Sequence, residues 1–353
     1  RYGHPDSGIF LCCLVVAGRS EMASDAQVAK WYLLADIGGT HARFAYAAAG
    51  KTSPKIIGVY TSEAFPSFAG LLGQLQLDCQ RLSLPETGLT QICLAVAATP
   101  VGNEIRLTNN AWCFSLDEVV EQMGCPRIRV VNDFAATARC LPHLGAENRV
   151  AVGVGSSLAG HPMVAIGPGT GTGVSSIAFD MQGRAMVLSG EGGHVGFSPI
   201  SDLEVAVLQH LRNRYERVSI ERILSGPGIT NLYHALGEIN DQPTPLHSSE
   251  AIGAAALTGQ EAMAVETMKL FFAVLGSAAG EFALTLGARG GVYIAGGIVP
   301  DYIDFMKESD FRARFEAKGR FASLNTSIGT YVITHPHPGL LGAALLCNEA
   351  EAE

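Results

Sequence analysis

The chain has 353 residues, of which 48% are hydrophobic and only 16% charged, and it carries a formal net charge of −9. That length exceeds one ordinary domain, so two α/β lobes with a cleft between them are expected. The composition excludes a mainly disordered chain. A negative balance without a Lys/Arg stripe excludes a surface built to neutralise nucleic-acid phosphates.

Residues 1–29 are read as an N-terminal extension ahead of the fold. Within it, Gly8 to Gly18 is apolar but too short to span a bilayer, with a targeting segment as the alternative reading. From Trp31 the pattern predicts a strand over 31–37, a Gly-Gly-Thr turn, a second strand over 42–49 and a third over 56–61. Apolar spacing at Phe68, Leu71, Leu72 and Leu75 predicts a helix over 68–77. A buried strand at 91–97, a helix at 116–123 and a strand at 128–131 ending in Asn132-Asp133 complete one lobe.

A second round opens near Met163, where a strand, a Gly/Thr turn and another strand repeat the arrangement at Asp36, and a third strand follows at 184–188. The chain then turns helical, over 203–215, 220–224, 228–235, 249–257 and 261–286. Strands at 292–295 and 331–334 and a closing helix at 340–347 end it. The expected division is a small α/β domain of residues 30–143 plus 335–353 and a large α/β domain of 144–334, hinged near 140–160. Eight cysteines form no C-x-x-C pair, so they read as buried thiols of a reducing compartment.

Five clusters carry chemistry. Asp36 to Arg43 (DIGGTHAR) lies between two strands, which excludes a Walker or Rossmann loop. The backbone of Gly38 and Gly39 and the hydroxyl of Thr40 suit phosphate oxygens, and Asp36 suits hydrated Mg²⁺. A plain hairpin turn would use the same letters. Gly167 to Gly173 (GPGTGTG) is a second such turn, and two of them, one per lobe, would grip a triphosphate from both sides. Asp133 at a strand end could take a proton from an attacking hydroxyl, with Asn132 on the same substrate; a helix N-cap is the competing role. Gly190 to His194 (GEGGH), with Glu221 downstream, offers acceptors for a hydroxyl-rich ligand. A structural histidine or a metal site are the alternatives for His194. Gly290 to Gly297 ends a strand in paired glycines against which adenine and ribose could lie.

Taken in order, ADIGGTxxRF, TNNxW, VVNDF, GxGTGxG, GEGGHV, ERxLSGPG, VYIAGGI and HPGLLGAA resemble the bacterial glucokinase family of the actin/hexokinase superfamily, from about Trp31 to the C-terminus. The resemblance implies an α/β, two-lobed actin-like ATPase (ribonuclease H-like) fold with duplicated mixed-sheet domains flanking a cleft. It implies Asp133 as catalytic base and Asn110, Asn132, Asp133, Glu191, His194 and Glu221 around glucose. Asp36, Gly38, Gly39, Thr40, Gly169, Thr170 and Gly171 would form the two phosphate loops, with Gly296 and Gly297 near adenosine, and Asp36 would hold Mg²⁺ through water. The family usually has Asn at the place of His41 and a polar or acidic residue at that of Gly196. No cysteine follows His194, which sets the chain in the zinc-free branch.

The implied reaction is transfer of the γ-phosphoryl group of ATP to the 6-hydroxyl of glucose, in the cytoplasm. Neither nucleic acid nor a membrane would take part, and a homodimer is expected by family analogy. A kinase for another hexose or with polyphosphate as donor is the near alternative. A non-catalytic sugar-binding regulator is the distant one; it needs no intact base, and the roughly thirty residues before the first strand leave little room for a helix-turn-helix module.

Overall fold

The computed structural model describes residues 29–107 and 112–352. Asn110, expected in the sugar site, and residues 1–28 lie outside the described residues. The chain runs through β1 (Trp31–Ile37), β2 (His41–Ala48), β3 (Lys55–Thr61), α1 (Phe68–Arg81), β4 (Leu89–Val96), β5 (Glu104–Arg106), β6 (Cys113–Ser115), α2 (Leu116–Met123), β7 (Ile128–Asn132) and α3 (Asp133–Cys140). The second half holds β8 (Arg149–Ala151), β9 (Met163–Pro168), β10 (Thr172–Phe179), β11 (Ala185–Gly190), α4 (Asp202–Arg212), α5 (Gly226–Ile239), α6 (Ser249–Thr258) and α7 (Ala262–Leu286). It closes with β12 (Val292–Ile294), α8 (Ile303–Glu308), α9 (Phe311–Glu316), α10 (Ala322–Ser327), β13 (Thr330–Ile333) and α11 (Pro338–Ala352).

Two main sheets result, in the orders β3-β2-β1-β4-β7 and β11-β10-β9-β12-β13-β8. Each starts with three antiparallel strands, because short turns leave no length for a crossover. Each continues with two parallel strands, reached through intervening helices, and the second sheet adds β8 antiparallel at its edge beside β13. The duplication suggested by the two glycine turns is therefore present in strand order, and the fold is the two-lobed actin-like one.

Helices α3 and α11 lie between the sheets. Leu340, Ala343, Ala344 and Cys347 of α11 pack with Tyr32, Leu34 and Cys93 of the first sheet, while Leu341 and Leu345 pack with Ala165, Tyr293 and Ile333 of the second. Along β1 the alternate residues Leu33, Ala35 and Ile37 turn the other way, onto Phe68, Leu71 and Leu75 of α1. Covering both faces explains why β1 reads as an unbroken apolar run from Trp31 to Ala35. The outer face of the second sheet is covered by the largest cluster, to which Leu232, Phe271 and Leu275 contribute. Helix α7 is long and apolar enough to cross a membrane, yet two thirds of its most apolar stretch is buried inside this lobe. The described cysteines are free thiols, buried except Cys113.

One expected helix is absent: residues 220–222 form a single 3₁₀ turn and α5 starts at Gly226. The Ser225 hydroxyl accepts from the Gly228 N–H, and Pro227 sits in the first turn, which fixes the start there.

The α3–α11 crossing is close enough that a β-carbon on Gly342 would overlap the Ala136 carbonyl oxygen. Gly342→Ala should therefore destabilise by about 1–3 kcal/mol through overpacking, against a helix-propensity gain of at most about 1 kcal/mol. Urea unfolding measures this, and an unchanged midpoint would contradict the tight crossing.

Candidate active site

The site begins where β7 becomes α3. The sequence offers Asp133 as the helix cap, and the structure instead gives that role to Asn132. Its Oδ1 accepts from the N–H groups of Phe134 (3.0 Å) and Ala135 (3.2 Å), and its Nδ2 donates to the Ala98 carbonyl at 3.2 Å. The Asp133 carboxylate is left with local backbone contacts, from the Phe134 N–H at 2.9 Å and from its own N–H. The ring of Phe134 reaches the other lobe and lies on Gly167 and Gly173. A β-carbon on Gly173 would overlap it. Asp133 is thereby pinned at the junction of the lobes.

A cleft of about 420 Å³ opens there, with Asp36, Arg43, Asp133, Gly296, Gly297 and His335 among its lining residues. Asp36 and Arg43 are cross-strand partners in the β1–β2 ladder, 3.9 Å apart at their charged ends. Burial pushes the Asp133 carboxyl up to about 7; the nearby Asp36 carboxylate adds to this and Glu191 adds less, against the opposing N–H of Phe134. Burial also raises Asp36, while the positive charges of Arg43 and His337 hold it down. Two crowded carboxylates facing one cavity suit a bound cation. His335 is shifted the other way, burial and the neighbouring His337 favouring its neutral form.

The second glycine turn is held from several sides. Gly169 N–H donates to the Gly171 carbonyl (2.7 Å) and Gly226 N–H to the Gly169 carbonyl (2.8 Å). Among the described residues, the N–H groups of Thr170 and Gly171 have no partner, so they remain to meet an anion. Gly296, at φ +87°, lies so close to Pro168 that a β-carbon would overlap its carbonyl. Gly296 and the second turn are thus in contact. The first turn, Gly38 to Thr40, is braced by the Ser62 hydroxyl, which donates to the Gly39 carbonyl at 3.1 Å. It follows Asp36 directly, but Asp36 and Arg43 rather than the turn form the wall of the cavity.

The residues expected around a sugar fall into two groups. Glu191 accepts a hydrogen bond from the Thr99 hydroxyl at 2.7 Å and lies within electrostatic reach of Asp133. His194 sits in the same short turn, exposed, with its carbonyl taking the Arg217 guanidinium. Glu221, by contrast, gives its Oε2 to the Thr172 N–H (2.9 Å) and packs on Gly171, tying the glycine turn to the 192–194 turn. Asp36, Asp133 and Gly296 therefore line one cleft, while Glu191, Gly171 and Glu221 are linked to it through neighbouring contacts without being part of its lining.

Three residues were given no role by sequence reasoning. Arg43 was legible in principle from the hairpin register opposite Asp36. Thr99 and His335 follow the ends of β4 and β13, where parallel strands present ligand-facing residues, but no local motif marks them. Replacing Asp36 by Asn should lower the Asp133 titration midpoint, which carboxyl-carbon NMR would follow. A midpoint near 4 in the parent protein would contradict the crowding.

A family model described as Glucokinase matches residues 33–350. A curated relative named Glucokinase, from Marinobacter nauticus, is 41% identical over 319 residues, covering 90% of this chain and 98% of its own. Among solved structures, a glucokinase from an Antarctic psychrotroph superposes with a TM-score of 0.79 at 33% identity, covering 91% of this chain and 99% of that one. A Balamuthia mandrillaris glucokinase in complex with glucose, at 20% identity and a TM-score of 0.74, covers 92% and 95% and shares the fold.

Proposed function

The chain belongs to the glucokinase family, and from that membership and its cleft we infer that it moves the γ-phosphoryl group of ATP to the 6-hydroxyl of glucose with Asp133 as the base. The observation that carries the base assignment is the placement of Asp133. It is freed from capping by Asn132, faces the cleft and is pushed up to about 7, near the pH at which a carboxylate can both accept and release a proton. As the 6-hydroxyl attacks phosphorus, its proton passes to Asp133. The terminal bridging oxygen of ATP leaves with ADP, and charge spreads over the transferred oxygens.

Unpartnered N–H groups at Thr170 and Gly171 would meet those oxygens from one side, and the Gly38 to Thr40 turn from the other. The paired glycines 296 and 297 leave bare backbone for adenosine. Asp36 would hold Mg²⁺ through water, and when bound the ion neutralises phosphate charge. Glu191 and His194 would pair with sugar hydroxyls, while Asn132 supports the site through its cap and its bond to Ala98. Glu221, committed to Thr172, would orient the glycine turn and meet the sugar with its remaining oxygen. An intact, proton-hungry carboxylate in the cleft favours catalysis over a sugar-binding regulator, and a cytoplasmic setting, where ATP is made available, fits this reading. Another hexose or another donor is a matter for rate comparison across sugars and phosphoryl donors.

Asp133→Asn should keep glucose binding by calorimetry and lower kcat by about 10²–10⁴-fold, the usual contribution of a general base. Because the folded-state carboxyl titrates near 7 against 3.8 for the free side chain, the folded state holds the extra proton between those values and loses stability as pH rises through them. Asp133→Asn removes that loss, so at pH 8 the variant should melt higher than the parent. In the parent, kcat/KM should fall about tenfold per pH unit below about 7 as the base protonates. Full turnover in the variant would remove Asp133 from its role.

A further inference from the structure

Thr99 belongs to no motif, yet its hydroxyl crosses from the small lobe to the large one. It donates to Oε1 of Glu191, 92 residues further along the chain, at 2.7 Å. Among the described residues this is the only hydrogen bond to the Glu191 carboxylate. We propose that Thr99 is a positioning residue for the sugar: it holds Oε1 of Glu191 so that Oε2 is left, correctly aimed, to accept from a sugar hydroxyl. The proposal rests on the reading of Glu191 as a sugar ligand.

The hydroxyl is itself carried on fastened backbone. Ala97 N–H donates to the Ile37 carbonyl at 2.9 Å and Ala98 N–H to the Val96 carbonyl at 2.8 Å, while Asn132 Nδ2 takes the Ala98 carbonyl. Pro100 follows and restricts the Thr99 backbone. The residue that frees Asp133 by capping α3 therefore also anchors the donor that aims Glu191, so base and sugar ligand share one support. Threonine suits the task because its branched β-carbon restricts χ1, which fixes the direction of the hydroxyl. Without it, Glu191 is an exposed side chain free to swing, and ordering it would be charged against sugar binding.

Steady-state kinetics on the full chain, varying glucose and ATP separately, test this. Thr99→Val keeps the shape and removes the donor. The glucose KM should rise about tenfold, as expected for losing one hydrogen bond to a charged group, with a smaller effect on kcat and little on the ATP KM. Thr99→Ser should bring the glucose KM most of the way back, which a merely steric role would not do. In a Glu191→Ala background, Thr99→Val should add nothing further. A parent-like glucose KM in Thr99→Val, an equal rise in the ATP KM, or a Thr99→Ser variant no better than Thr99→Val would overturn the proposal. If Glu191→Ala raises the glucose KM while Thr99→Val does not, Thr99 alone loses its role. If Glu191→Ala leaves the glucose KM unchanged, the sugar-ligand reading fails and the proposal with it.

Discussion

The two hydrogen bonds that Asn132 Oδ1 takes from the N–H groups of Phe134 and Ala135 fix the chemistry of the cleft. A helix start needs an acceptor for its orphan donors, and an aspartate beside it could equally supply one. With Asn132 in that place, the Asp133 carboxylate turns toward the cavity, where burial and the Asp36 charge make ionisation costly. The helix dipole and the Phe134 N–H lower that cost without removing it. The outcome is an acid whose proton is loosely held near neutral pH, which is what transfer from an alcohol requires.

The rest of the fold keeps this group at the meeting point of the lobes. Helix α11 packs against both sheets and α3 touches β4 on one side and β9 and β10 on the other, so the start of α3 is braced from two directions. Phe134 rests on glycines of the second turn, and Gly296 is drawn against the same turn from β12. Rigid packing of this kind positions catalytic groups through contacts that lie outside the reacting atoms. It also couples the elements: movement of the second glycine turn shifts the seat of Phe134 and, through it, Asp133.

Much of this was readable in the sequence because the signals were local. The paired strand–turn–strand segments at Asp36 and Gly169 follow from glycine placement and period-two apolar runs, and they reappear in matching strand orders. Asp133 at a strand end was likewise visible. Its freedom from capping was not, since the sequence pointed to Asp133 itself as the cap and only the tertiary contact with Ala98 settles Asn132 in that role. The bond from Thr172 to Glu221 spans 49 residues and that from Thr99 to Glu191 spans 92, so neither leaves a spacing pattern to read. The start of α5 was displaced by two residues because Ser225 and Pro227, not the apolar period, set where that helix can begin.

The central claim is that the Asp133 carboxylate faces the hydroxyl that is phosphorylated. A crystal structure with glucose and a non-hydrolysable ATP analogue tests it most directly. The glucose 6-hydroxyl should lie within hydrogen-bond distance of Asp133 and in line with the terminal phosphate, itself held at the Thr170–Gly171 turn. Glucose bound with its 6-hydroxyl turned away from Asp133, or the terminal phosphate outside the cleft shared by Asp36 and Gly296, would contradict it.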